Sequence, residues 1–147
     1  MSWRAIALAA CLAATACSNN SNQLSGSLGQ LYDLSFNSVT IVLQGKNVSV
    51  QYIGSGVDPA VLVVDLTSIV NVAGSSIDLT QLVNGQPRGV LQRVGTVTTD
   101  LPMQVGTVTF DQVPQVGKTL SGNFHATLSN PSGYTLNGDF SATVTSP

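Results

Sequence analysis

The stretch Thr119-Leu120-Ser121-Gly122-Asn123-Phe124-His125-Ala126-Thr127-Leu128-Ser129 returns sixteen residues later as Thr135-Leu136-Asn137-Gly138-Asp139-Phe140-Ser141-Ala142-Thr143-Val144-Thr145. Between the copies lies Asn130-Pro131-Ser132-Gly133-Tyr134, a cluster of turn formers. Two copies are too few for a repeat array, which needs about three or more units. Two alternating segments around a turn predict a long hairpin instead, about 119–129 with 135–145. Such strands must bury their apolar side, so the chain is committed to a sheet.

The alternation also predicts a register. With Ser129 opposite Thr135, Leu128 faces Leu136, Ala126 faces Gly138, Phe124 faces Phe140, Gly122 faces Ala142 and Leu120 faces Val144. The other side then pairs Thr127 with Asn137, His125 with Asp139, Asn123 with Ser141 and Ser121 with Thr143. A slip of one residue would set apolar against polar throughout.

Upstream the same period of two recurs. Val39, Ile41 and Leu43, then Val48, Val50 and Tyr52, flank Gly45-Lys46-Asn47 and predict a second hairpin. Val61 to Leu66 reads as a buried strand, and Val90 to Val97 and Val105 to Phe110 as two more. The stretch 67–87 is less regular: Ile77 and Leu79 read as a strand end and Asp78 to Val83 as a helical turn. Leu28, Leu31, Leu34 and Phe36 read as a helical turn or an entry strand. Charged residues make up 8% of the chain against about 25% in ordinary domains, and every acid is Asp. With Val, Thr, Ser, Asn and Gly abundant, that balance favours strands and turns over helices. The expected fold is all-β: an antiparallel β-sandwich or partly open β-barrel of roughly seven to nine strands. One domain is expected over 28–147.

The chemistry-bearing residues are few. His125 is the only histidine, and Asp139 is expected across from it. A hydrolase built on His125 is one functional alternative, but a hairpin face supplies no nucleophile, oxyanion hole or pocket. The bland reading is an exposed cross-strand pair. One histidine and no free thiol cannot assemble a usual zinc set, and the scattered Asp residues form no calcium loop. No metal, cofactor or catalytic residue is therefore expected. Gly117-Lys118-Thr119 looks like the tail of a phosphate loop, yet position 112 is Gln where the motif needs Gly. Arg88 and Arg93 flank Gly89-Val90-Leu91-Gln92 and read as surface charge, with contact to a carboxylate or glycan as the functional alternative. A net charge of −2 argues against nucleic acid as a partner.

The first twenty residues have the layout of an export signal. Arg4 is the basic tip, Ala5 to Ala16 the apolar run, and Ala14-Thr15-Ala16-Cys17 the small residues before a cysteine. Twelve residues at about 1.5 Å each span roughly 18 Å, too short for a hydrocarbon core of about 30 Å. The Ala14–Cys17 stretch resembles the lipobox of bacterial lipoproteins. Leu8-Ala9-Ala10-Cys11 matches the lipobox wording better, but leaves an apolar region below the usual length of about 7–15 residues. Cys17 is favoured, with 1–16 as signal peptide and 17–27 as lipidated cysteine and flexible tether. The resemblance implies a diacylglycerol thioether on Cys17, with palmitate-type acyl chains anchoring the chain to a membrane. Ser18 rather than Asp after the cysteine implies the outer membrane of a Gram-negative envelope. A mature chain starting at Cys17 has no second cysteine for a disulfide.

Cys17, Gly26-Ser27-Leu28-Gly29-Gln30-Leu31-Tyr32-Asp33 and Leu120-Ser121-Gly122-Asn123-Phe124 together resemble the small uncharacterised all-β lipoproteins of myxobacteria. That resemblance assigns a role to Cys17 alone. It implies a non-catalytic β-domain held at the membrane for binding or structural support, with an envelope protein or glycan as partner. A carrier of small apolar ligands is the second alternative, recognisable by an apolar hollow of several hundred Å3.

Overall fold

The structure, a computed structural model, describes residues 22–147. The expected signal peptide, Cys11 and Cys17 lie outside the described residues. The fold is all-β, a curled open sheet forming a half-barrel with a small second sheet beside it.

Twelve strands follow one another: β1 (Gln23–Ser25), β2 (Ser38–Gln44), β3 (Asn47–Ile53), β4 (Asp58–Asp65), β5 (Ile77–Asp78), β6 (Leu82–Val83), β7 (Gln86–Pro87), β8 (Gly89–Val94), β9 (Thr98–Asp100), β10 (Met103–Phe110), β11 (Thr119–Ser129) and β12 (Ser132–Thr145). The large sheet runs β5-β10-β11-β12-β2-β3-β4-β8-β9, with β1 on β12, and β6 and β7 form the small sheet. The strand count exceeds the expected seven to nine because several strands are only two or three residues long. One strand pairing is parallel, where Val144 and Thr145 of β12 meet Ile41 and Val42 of β2.

The hairpin of β2 and β3 forms as expected, with Val39 opposite Tyr52, Ile41 opposite Val50 and Leu43 opposite Val48. Its two-residue turn places Gly45 at φ 62, a conformation that glycine adopts without a steric penalty. The expected helical turn at 78–83 is absent; that segment carries β5 and β6 instead. A 3-10 turn spans Ser27–Gln30 and buries Leu28. Residues 23–27, expected within the flexible tether, carry β1 and open that turn. The cause is β12: it is fourteen residues long, and β1 covers its edge at Asn137–Asp139.

The final hairpin keeps the predicted faces and corrects the predicted register. Leu120, Phe124, Ala126, Leu128, Leu136, Phe140 and Val144 are all buried. Strand pairing, however, sets Gly122 against Phe140 and Phe124 against Gly138, not Phe against Phe. His125 faces Asn137, and Asp139 faces Asn123. The ladder continues to Ser129 opposite Ser132 after an irregularity at 127–129, so the connection is two residues rather than five. A shift of two residues leaves every side chain on its face, so face pattern alone could not exclude it. Volume decides it: a Cβ on Gly122 would stand 2.6 Å from Phe140 Cζ, and one on Gly138 would strike the Phe124 ring. Each glycine is the notch that takes the other copy's phenyl ring.

Around these rings the core closes. Tyr52 is fully buried and stands edge-on to Phe36 and Phe124, with centroids 5.0 and 6.2 Å apart. Its hydroxyl donates to the Asp139 carbonyl at 2.9 Å, tying β3 to β12 across the interior. Burial pushes the Tyr52 phenol far up, with Asp139 adding to the shift, so it stays a donor.

The far ends of the sheet meet at Leu79. Its N–H donates to Gly106 of β10, and its carbonyl accepts from Gly89 of β8, both at 2.8 Å. A Cβ on Gly89 would come within 2.6 Å of Leu79 Cβ, so the glycine is what lets β8 approach. The half-barrel is stitched at this point and stays open beside it.

Two strand ends and the loop after the 3-10 turn share one device. Asp33-Leu34-Ser35, Asp65-Leu66-Thr67 and Asp78-Leu79-Thr80 each fold so that Asp Oδ1 accepts the N–H two residues on, at 2.8–2.9 Å. These are Asx turns, in which the side chain replaces a backbone acceptor. The leucine between is buried or packed against the core in all three.

Candidate functional site

Strand β8 positions two hollows, one toward each end. The first opens where the sheet fails to close. It encloses about 470 Å3 and is lined by Leu79, Pro87, Val90, Leu91, Leu101 and Met103 with a few polar neighbours. Val90 is 42% exposed, so the apolar lining reaches the surface. Gln92 and Asp100 form the polar rim through a 2.7 Å hydrogen bond.

The second hollow encloses about 260 Å3 and is lined by Asp33, Ser35, Asn37, Ser55, Val57 and Arg93. The loop after the 3-10 turn supplies three of these. Asn37 pins that loop, since its N–H donates to Ile53 at 2.7 Å and its Nδ2 to Ser55 Oγ at 3.0 Å. The Ser35 hydroxyl and N–H hold the Asp33 carboxyl below its ordinary range, with the Arg93 charge adding to this. Arg93 lies over the Tyr32 ring, 4.8 Å from its centroid. Its Nε is buried without a hydrogen-bond partner among the described residues.

The two arginines depart from the expected surface charge. Arg88 is buried, with 5% of its surface exposed. Its Nη1 donates to the carbonyls of Asp65 and Thr67 at 2.6 and 2.9 Å, and its Nε to Gln81 Oε1 at 3.2 Å. It ties β4 and the loop after it to the segment beside β6. A carboxylate or glycan role for Arg88 is therefore corrected: this side chain is spent on carbonyl oxygens of its own chain. Arg93 lines the second hollow.

His125 is exposed and meets Asn137 Oδ1 through Nδ1. The expected His125–Asp139 pair is not formed, because the register differs by two residues. His125 lines neither hollow. Gly117-Lys118-Thr119 lies in a turn leading into a strand, with Lys118 N–H on Gln115 and Gly117 at φ 84, so no helix follows the glycine. Among the described residues, no three His, Cys, Asp or Glu side chains could hold a metal ion. No helix of the described residues is long and apolar enough to cross a membrane.

Neither hollow was foreseen residue by residue. Arg93 was a candidate as surface charge, while Asp33, Ser35 and Asn37 were missed. The signal for them was present, since Asp-Leu-Ser/Thr occurs three times and forms an Asx turn each time. Comparison with protein-family models, curated proteins and solved structures finds no match for this chain.

Proposed function

We propose that this protein is a lipid-anchored component of a Gram-negative cell envelope, held at the outer membrane through Cys17, whose β-domain binds rather than catalyses. The observation that carries the reading is the start of β1 at Gln23. Five residues, Ser18 to Asn22, then separate the acylated cysteine from the folded domain. At about 3.3–3.6 Å each they reach at most roughly 18 Å. A domain so close to the bilayer suits a resident binding module. Two or three acyl chains would hold it there stably, where one would not. His125, exposed and paired with Asn137, supports binding over hydrolysis.

Growth with labelled palmitate tests the anchor. The wild type and Cys11→Ala should take up label and fractionate with membranes, while Cys17→Ala should do neither. Unchanged labelling of Cys17→Ala would overturn the assignment.

The apolar hollow favours a second reading, a carrier of small apolar ligands. Its volume and lining fall within the usual range for ligand sites. A neutral fluorescent probe such as N-phenyl-1-naphthylamine should brighten with the wild-type protein and not with Val90→Glu. No brightening with the wild type would exclude the carrier.

A further inference from the structure

We infer that the hollow around Arg93 is a binding site for one sugar unit of a glycan. The inference rests on the binding reading and is independent of the lipid anchor.

The two arginines at the ends of β8 differ in how their donors are met. A guanidinium carries five N–H groups in a fixed fork and cannot shed its charge. Arg88, at the other end of β8, shows what this chain does with a structural arginine: it meets the fork with backbone and amide oxygens. Arg93 is held by stacking on Tyr32, and its Nε is buried without a partner. That Nε is sealed from the hollow, so a ligand there would meet the Nη groups at the open end of the fork.

Charge then narrows the class of acceptor. Asp33 shares the hollow and is held ionised, with Oδ1 engaged by the Ser35 N–H. A simple anion would meet the Asp33 carboxylate, and a simple cation would meet Arg93. A neutral ligand offering adjacent donors and acceptors satisfies both. Vicinal hydroxyls do this: each accepts from the guanidinium and donates to the carboxylate. The remaining polar lining is Ser35, Asn37 and Ser55, neutral groups that both give and accept hydrogen bonds. At about 30 Å3 per water, 260 Å3 is the share of roughly eight or nine waters. That admits one sugar ring and excludes a longer enclosed chain. The exposed rim leaves the rest of a glycan free to continue outward.

Saturation-transfer NMR on the full-length protein in detergent micelles tests the site. The probes are methyl glucoside, galactose and N-acetylglucosamine, with acetate and glycine as the anionic and zwitterionic controls. At least one sugar should receive saturation. Arg93→Met, which keeps the stem over Tyr32, and Asp33→Asn should each weaken that binding about tenfold or more, as loss of a hydrogen bond to a charged group predicts. Ser55→Ala serves if Arg93→Met does not fold, and should weaken binding severalfold. No transfer to any sugar overturns the inference. So does transfer that neither charge variant alters. Arg93-dependent binding of acetate or glycine without any sugar also overturns it, and makes the hollow an anion or amino-acid site. Because lipid attachment is not read out, failure here is distinct from failure of the Cys17 assignment.

Discussion

Arg88 and Arg93 stand at the two ends of one strand and meet opposite fates. Arg88 is buried and its hydrogen bonds end on oxygens of its own chain. Arg93 is half-buried, stacked on one tyrosine, and faces a hollow. The same residue type is mortar at one end and an open socket at the other. The difference lies in what surrounds each fork. Near Arg88 the chain turns after β4 and presents two carbonyls; Arg93 lies over the Tyr32 ring beside the hollow. An arginine's role is read from its acceptors, not from its burial alone.

The comparison breaks most easily at Arg88. Arg88→Met should cost about 3 kcal/mol, because it leaves buried carbonyls without donors. Urea denaturation measures it, and a loss under about 1 kcal/mol would show that the fork is not structural. Next come the glycines beside each arginine. Gly89→Ala drives a Cβ to within 2.6 Å of Leu79 and should cost about 2 kcal/mol by overpacking. Gly95→Ala meets at closest the Val57 Cγ2 methyl at 3.1 Å, the end of a side chain rather than backbone, and should stay within about 0.5 kcal/mol. Equal effects from the two would mean the seam is no tighter than the socket. Arg93→Met should cost no more than about 1 kcal/mol, the scale of its contact with Tyr32. A loss matching that of Arg88→Met would erase the distinction between them.

The smallest effect is in acid. Asp65 belongs to the turn that feeds Thr67 O to Arg88, and Asp33 to the rim of the socket. Hydroxyl and N–H hydrogen bonds from Thr67 and Ser35 hold both carboxyls below their ordinary range. A carboxyl held low in the folded state stabilises above its unfolded value of about 3.9 and loses that contribution as the pH falls through its folded value. The urea midpoint should therefore fall below about pH 4, and less so in Asp65→Asn. A midpoint that is flat from pH 6 to pH 3 would contradict the Asx turns.

Face pattern was legible in the long strands, because a period of two reports burial directly, and failed at 78–83, where two-residue strands are too short to show it. Register was not, since a two-residue shift preserves that pattern. Yet Leu120-x-Gly122-x-Phe124-x-Ala126 and Leu136-x-Gly138-x-Phe140-x-Ala142 hold the answer in their volumes. Run antiparallel, they set Leu against Ala and Gly against Phe at all four positions, as observed. Pairing like with like ignored that a ring needs a notch. The socket was less legible, because its residues come from 33–37, 55–57 and 93, and nothing local brings them together. Arg88 departs from the surface reading for a related reason: two of its three acceptors are main-chain oxygens, which no side-chain pattern reveals.

The same volume code has a consequence in crowded solution. Leu-x-Gly-x-Phe-x-Ala is complementary to itself when reversed, so β11 of one chain fits β11 of another by the rule that joins β11 to β12. The native hairpin wins through proximity, since its partner is tethered by a two-residue connection. Newly made chains that meet before this hairpin closes carry a ready wrong partner. Refolding yield should decline as protein concentration rises, and Gly122→Val, which fills the notch, should abolish the mispaired species together with the native one.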